Sequence, residues 1–102
     1  MGVKIVQNSN TLTAIIDGDI DHHTAKDIRI QIDENIEASE PAILELDFSG
    51  VQFMDSSGIG LIIGRFKQMK ALGGKLKVIN TPKHIDKLIK LAGLEAFGII
   101  SR

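Results

Sequence analysis

The stretch FMDSSGIGLIIG, residues 53–64, decides how this chain is read. An apolar pair, Phe53-Met54, runs into Asp55. Two serines follow, then an apolar run spaced by Gly58, Gly60 and Gly64. The pattern predicts a helix from about Ser56 to Leu72, with Ile59, Ile62, Phe66 and Met69 as its inward stripe and Gly73-Gly74 as its stop. At a helix start the first backbone N–H groups have no partner within the helix. Asp55 or Ser56 can accept a hydrogen bond from one of them, a cap worth about 0.5–2 kcal/mol. The same place suits a phosphate, because a helix N-terminus carries partial positive charge and free N–H groups. A phosphate on Ser56 would add about −1.5 to −2 charges and leave the fold standing. Asp55 would repel it, so the group should point outward, towards a partner. Capping and phosphorylation both fit the residues.

Nucleophilic catalysis is a third use for these serines. Asp21-His22-His23 stands at another loop–helix junction, so Ser, His and Asp are all present. The order Asp-Ser-Ser-Gly is not the G-x-S-x-G elbow of a serine hydrolase, and two adjacent histidines cannot both point one way. Asp21, His22 and His23 are also too closely spaced to hold one metal ion. The glycines do not make a nucleotide loop. Their spacing is G-x-G-x-x-x-G, no acidic residue follows about 20 positions on, and no Gly-Lys-Ser/Thr occurs. Three helical glycines imply instead that another backbone comes close, either the chain's own sheet or a partner. Leu61, Gly64 and Gln68 share the face away from the inward stripe, with Leu61 as an exposed apolar candidate and Arg65 beside it.

Outward from this stretch the chain reads as one α/β domain over residues 1–102. Val3–Val6 and Leu12–Ile16 form a hairpin around a turn at Asn8-Ser9-Asn10. A helix carries Ala25, Ile28, Ile32 and Ile36, with Thr24 to Asp27 spaced like a capping box. Ile43–Phe48 is a buried-type strand, and Ser49–Phe53 a connector. Lys75–Ile79 is another strand. Thr81 caps a third helix with Pro82 at its first position, and Gly93 ends it. His84, in its first turn, faces solvent. Phe97–Ile100 is a last short strand. The order ββαβαβαβ implies a mixed sheet of about five strands with three to four packed helices.

Composition narrows the function. The chain has 102 residues, 43% hydrophobic and 25% charged, with net charge −1. That is a globular composition, and its charge balance argues against nucleic acid as the main partner, because duplex binding usually needs a basic face. There is no Cys, Trp or Tyr, which removes disulfides, thiolate chemistry and base-stacking platforms. Met1-Gly2-Val3-Lys4-Ile5-Val6 lacks the Ser or Thr that myristoylation needs at the sixth position. Ile59–Gly64 is far too short to span a membrane. A soluble cytoplasmic protein without a cofactor is expected, and nothing in the sequence calls for more than a monomer.

GDIDHHTA at 18–25, DFSGVQFMDSSGIGLIIGRFKQMKALGG at 47–74 and the strand-to-Thr81-Pro82 join resemble the bacterial anti-sigma factor antagonists. These are STAS-domain proteins, and the match is nearest to the stage II sporulation protein AA type, the anti-sigma F factor antagonists. It covers nearly the whole chain. The resemblance implies the STAS fold and a phosphorylation switch. The unphosphorylated antagonist binds an anti-sigma factor that is also a serine kinase and so frees the sigma factor. The kinase phosphorylates the antagonist with ATP and ends the contact, and a PP2C-type phosphatase restores it. By this resemblance Ser56 is the phosphorylated residue and Ser57 the non-acceptor. Asp21, Asp55, Ser57, Gly58, Gly60, Leu61, Gly64 and Arg65 shape the partner face. Asp-His-His-Thr favours the sporulation type over a stress-signalling one. Relatives usually continue into a further helix beyond the last strand, so the sheet face it covers is expected to be exposed here.

Overall fold

Leu12, Ala14 and Ile16 of one strand are completely buried, while Thr13 and Ile15 between them stay partly open. This period-two burial is what a strand with one core face produces. The computed structural model describes residues 2–101. Met1 of the lipidation-like start and the terminal Arg102 lie outside the described residues. The strand is β2 (Thr11–Ile20), and it pairs antiparallel with β1 (Gly2–Asn8) through the expected hairpin. Helix α1 (Ala25–Ser39) returns the chain so that β3 (Ile43–Met54) lies parallel to β2. Helix α2 (Ser56–Ala71) does the same for β4 (Lys75–Ile79). Parallel neighbours need such crossovers. Helix α3 (Lys83–Leu91) and a 3₁₀ turn (Leu94–Phe97) complete the order.

Four strands form the sheet, in the order β1-β2-β3-β4. The fifth expected strand is reduced to one bridge, Val78 to Ile100. The 3₁₀ turn takes the residues up to Phe97, and Gly98 in left-handed geometry (φ 68) turns the chain before it can run along β4. The core lies on one face. Ile28, Ile32 and Ile36 of α1 cover it together with Ile62 and Met69 of α2 and Ile85 and Ile89 of α3. Among the described residues no helix is long and apolar enough to cross a membrane.

Helix ends differ from expectation in detail. Thr24 makes no side-chain cap for α1. Its hydroxyl instead donates to the Asp19 carbonyl (2.8 Å) and accepts from the Asp21 N–H (3.0 Å). Thr81 likewise caps nothing, because α3 starts one residue later and Pro82 holds the cap position. Gly73 (φ 75) and Gly93 (φ 78) adopt the left-handed conformation just past α2 and α3 that the sequence anticipates there.

The largest departure is in β3, which continues through the expected connector to Met54. Its buried residues are Leu44, Leu46, Phe48, Val51 and Met54, so the step lengthens from two to three. Register explains this. Asp47 and Gly50 face Ile15 and Asp17, and Val51 and Met54 face Gly18 and Ile20. Twice, β3 spends one residue more than its neighbour, which is a bulge. Two bulges hide a strand from any period-two reading.

Candidate functional site

Ile20 and Met54 are the last paired residues of the parallel strands β2 and β3. The Asp55 N–H donates to the Ile20 carbonyl at 3.2 Å. Asp21 and Asp55 therefore leave the sheet side by side at its C-terminal edge. In open α/β sheets that edge is where ligands bind.

Asp55 is the cap of α2. Its backbone is extended, and its Oδ1 accepts from the Ser57 N–H at 2.8 Å. Ser56 is thereby placed as the first residue of the helix, exposed, and Ser57 stands half-buried behind it. Among the described residues the Ser56 hydroxyl has no hydrogen-bond partner. It is a free hydroxyl on a fixed backbone, beside the positive end of a helix of 16 residues. Asp21 is built differently. Its Oδ1 accepts from the N–H groups of His23 (2.8 Å) and Thr24 (3.2 Å), closing its own turn ahead of α1. These bonds, that of His23 above all, hold the Asp21 carboxyl below the usual aspartate range. Asp21 and Asp55 thus stand at the same strand-end edge as the Ser56 hydroxyl.

The expected partner face of α2 divides in two. Leu61 is 4% exposed and Arg65 is 7% exposed, so neither offers a surface. The reason is that α2 packs on α1 as well as on the sheet, which widens its buried stripe to Gly58, Leu61, Ile62, Arg65 and Met69. Ile59 and Phe66, expected on the inward stripe, are only partly buried. The Arg65 Nε lies 3.1 Å from the Asp33 carboxylate of α1 and donates to Gln68 Oε1 at 3.1 Å. Burial pulls the guanidinium down from its ordinary value, and Asp33 opposes this. The contact is ionic but misaligned, since Asp33 Oδ1 and Arg65 Nη1 lack a true hydrogen bond. Gly58 faces inward too, and a methyl there would strike the Met54 side chain. A methyl at Gly60 or Gly64 would meet nothing within 4 Å. The close backbone contact inferred for the three glycines is thus internal at Gly58, while Gly60 and Gly64 leave α2 open.

One surface residue escaped the sequence reading. The second bulge of β3 takes up Gln52 and Phe53, and both face outward. Strict alternation from Val51 would have buried Phe53 and exposed Met54. Instead Met54 enters the core and Phe53 is 53% exposed, two residues before Asp55. Burying a phenylalanine stabilises by about 1.5–3 kcal/mol, so leaving Phe53 outside forgoes part of that. The bulge is pinned from α3. His84 Nε2 lies 2.6 Å from the Gln52 carbonyl, and since a carbonyl only accepts, that nitrogen carries the proton. His84 is exposed as expected, but it is tied down.

Comparison with known proteins places this arrangement. The STAS domain family matches residues 3–101. This chain belongs to the STAS-domain family. It is 33% identical to an anti-sigma F factor antagonist of Paenibacillus polymyxa over 90% of this chain and 79% of the relative. It is also 33% identical to the anti-sigma-B factor antagonist of Bacillus subtilis, over 93% and 85%. Among solved structures it resembles the anti-sigma factor antagonist SpoIIAA in its unphosphorylated form, with TM-score 0.84, 26% identity and coverage of 97% and 85%. The phosphorylated form of SpoIIAA from Bacillus matches with TM-score 0.77, 26% identity and coverage of 97% and 88%.

In this STAS domain the strand-end edge brings together Asp21, Asp55, Ser56 and Ser57, with Gly60 one turn further along α2. Leu61, Arg65 and Gly58 support that edge from inside. Among the described residues neither Ser56 nor Ser57 is hydrogen-bonded to an imidazole, and the exposed rings of His22 and His23 lie against each other at 4.0 Å. Among the described residues no three His, Asp or Glu side chains converge to hold a metal.

Proposed function

We propose that this STAS domain is an anti-sigma factor antagonist whose binding is switched by phosphorylation of Ser56. The observation that carries this reading is the Ser56 hydroxyl. It is exposed and unbonded at the start of a capped helix, on the edge that Asp21 and Asp55 flank. In the unphosphorylated form this edge binds an anti-sigma factor with serine kinase activity, which releases the sigma factor and turns on transcription. Phosphorylation puts a dianion beside two carboxylates, and the surface then repels the partner that fitted it. The free N–H groups of the α2 first turn tolerate the phosphate, so the fold persists. That one fold is recorded for SpoIIAA with and without phosphate supports this step.

Asp21, Asp55, Ser57, Gly60 and Gly64 make the contact surface, and Gly58, Leu61 and Arg65 hold it in shape. The protein has no catalysis and no cofactor of its own. It works in the cytoplasm as a monomer when free, binds neither nucleic acid nor membrane, and is reset by a PP2C-type phosphatase. The resemblance at Asp21-His22-His23-Thr24 favours a sporulation sigma factor. A stress-response sigma factor is the second reading, because the identity to the anti-sigma-B factor antagonist is equally 33%.

The test is to incubate the protein with ATP and the anti-sigma kinase encoded beside its gene, then map phosphate by peptide mass spectrometry. Phosphate on Ser56, lost in Ser56→Ala and kept in Ser57→Ala, is the expected result. An active kinase that leaves Ser56 unmodified would overturn the proposal.

A further inference from the structure

Among the described residues six large apolar side chains are exposed: Val6, Ile30, Phe53, Leu72, Leu91 and Phe97. Phe53 alone among them lies within three residues of Ser56. It differs from the other exposed aromatic as well. Phe97 stacks on Phe66 at 4.8 Å, whereas Phe53 has no ring partner among the described residues. Nor is it on a loose loop. It is held in β3, and the carbonyl before it is bonded to His84. An aromatic side chain presented on a rigid backbone loses little freedom on docking, and such residues dominate interface energetics.

The flank of Phe53 has a charge sign. His84 brings the first turns of α3 beside the bulge, and with them Lys83 and Lys87. Both are exposed, and neither has an ion-pair partner among the described residues. Lys90, further along, is already paired with Asp86 at 3.3 Å. The edge thus carries Asp21 and Asp55 near Ser56, Lys26 and Arg29 of α1 line the groove with Ser57 and Gly60, and Lys83 and Lys87 lie on the α3 side nearest the Phe53 bulge.

We propose that Phe53 is the apolar anchor of the partner-binding surface. It enters a socket on the anti-sigma kinase whose rim, facing Lys83 and Lys87, carries carboxylates. This rests on the function proposed above and adds the contact that positions the kinase on Ser56. The β3 bulge exists in this view to turn Phe53 outward beside the hydroxyl it helps to deliver.

The test is titration calorimetry of the full chain against the anti-sigma kinase encoded beside its gene. Wild type, Phe53→Ala, Phe53→Leu, Leu91→Ala and the double variant Lys83→Glu/Lys87→Glu are compared, each with its thermal midpoint. Phe53→Ala should weaken binding about 30-fold or more, as loss of a central aromatic does. Phe53→Leu, which keeps an apolar side chain in the strand, should lose less. Leu91→Ala should change affinity less than about threefold despite the greater exposure of Leu91, since a scattered surface apolar residue carries no binding. The lysine double variant should weaken binding, and most at low salt, where charge pairs are least screened. Folded Phe53→Ala and Phe53→Leu that bind within threefold of wild type would overturn the anchor and leave the proposed function standing. Wild type that does not bind this kinase would overturn both.

Discussion

The first turn of α2 and its middle are built to opposite specifications. Around Ser56 and Gly60 the helix is exposed, held at its start by the cap from Asp55 to the Ser57 N–H and by the Asp55 N–H on the Ile20 carbonyl. From Leu61 to Met69 it is wedged between α1 and the sheet, with Leu61, Ile62 and Met69 buried and Arg65 paired to Asp33. One helix thus carries a surface that can accept a charge and an interior that cannot. The lesson is spatial. A phosphate added at the helix start would lie outside the packed core, so it should act mainly on what the surface binds. Changes a turn or two later should do the reverse.

That contrast breaks most visibly at the buried ion pair. Asp33→Ala leaves the Arg65 guanidinium buried without its counter-charge. Removing one partner of a fully buried pair costs about 3–5 kcal/mol. The Asp33 side chain is 22% exposed, so water can reach the site. The expected loss is about 2 kcal/mol, read as a lower urea midpoint, with a much smaller effect on affinity for the anti-sigma kinase. An affinity loss without a stability loss would move Arg65 back to the binding surface.

The glycines give the next smaller effect and the sharpest contrast. Gly58→Ala forces a methyl onto Met54, and overpacking of this kind costs about 1–3 kcal/mol. Gly60→Ala, two residues on, fills open space, so it should raise stability by about 0.5–1 kcal/mol through helix propensity. If the kinase backbone approaches there, the same substitution should weaken binding. Thermal unfolding and calorimetry on the pair separate the two halves of the helix within three residues.

The smallest effect is a pH dependence at Asp21. Its folded-state carboxyl lies below the usual aspartate range because the His23 N–H bonds to it. A depressed carboxyl stabilises the fold above its unfolded value and loses that contribution as pH falls through the folded one. Wild type should therefore exceed Asp21→Asn in urea midpoint at neutral pH, and the two should converge in acid below about pH 4. At neutral pH Asp21 does not titrate, and its charge is a constant of the binding surface.

Much of this was legible in the residues. The hairpin, β4 and three helices follow from period and punctuation, because each has a single buried face and a glycine stop or a turn signal. Asp55 as a cap and Ser56 as the open hydroxyl follow from helix-end chemistry. What escaped depends on packing between elements. Leu61 and Arg65 look exposed when α2 is set only on the sheet, and α1 is what buries them. Thr24 looks like a cap until Asp21 is seen taking the N–H groups at that turn. The far half of β3 and the exposure of Phe53 come from two bulges, visible only in the pairing register with β2. The apolar spacing of three at Phe48, Val51 and Met54 was the one sequence signal for them.

The central claim is that charge at Ser56 changes binding and not folding. Its most direct test is the affinity of the anti-sigma kinase for the protein before and after stoichiometric phosphorylation, with thermal midpoints of both forms. Binding should fall at least about 100-fold, the upper range of a coupling of 1–3 kcal/mol, while the midpoints stay within a few degrees. Equal affinity of the two forms would contradict the switch, and a collapse of the midpoint on phosphorylation would contradict the separation of surface from scaffold along α2.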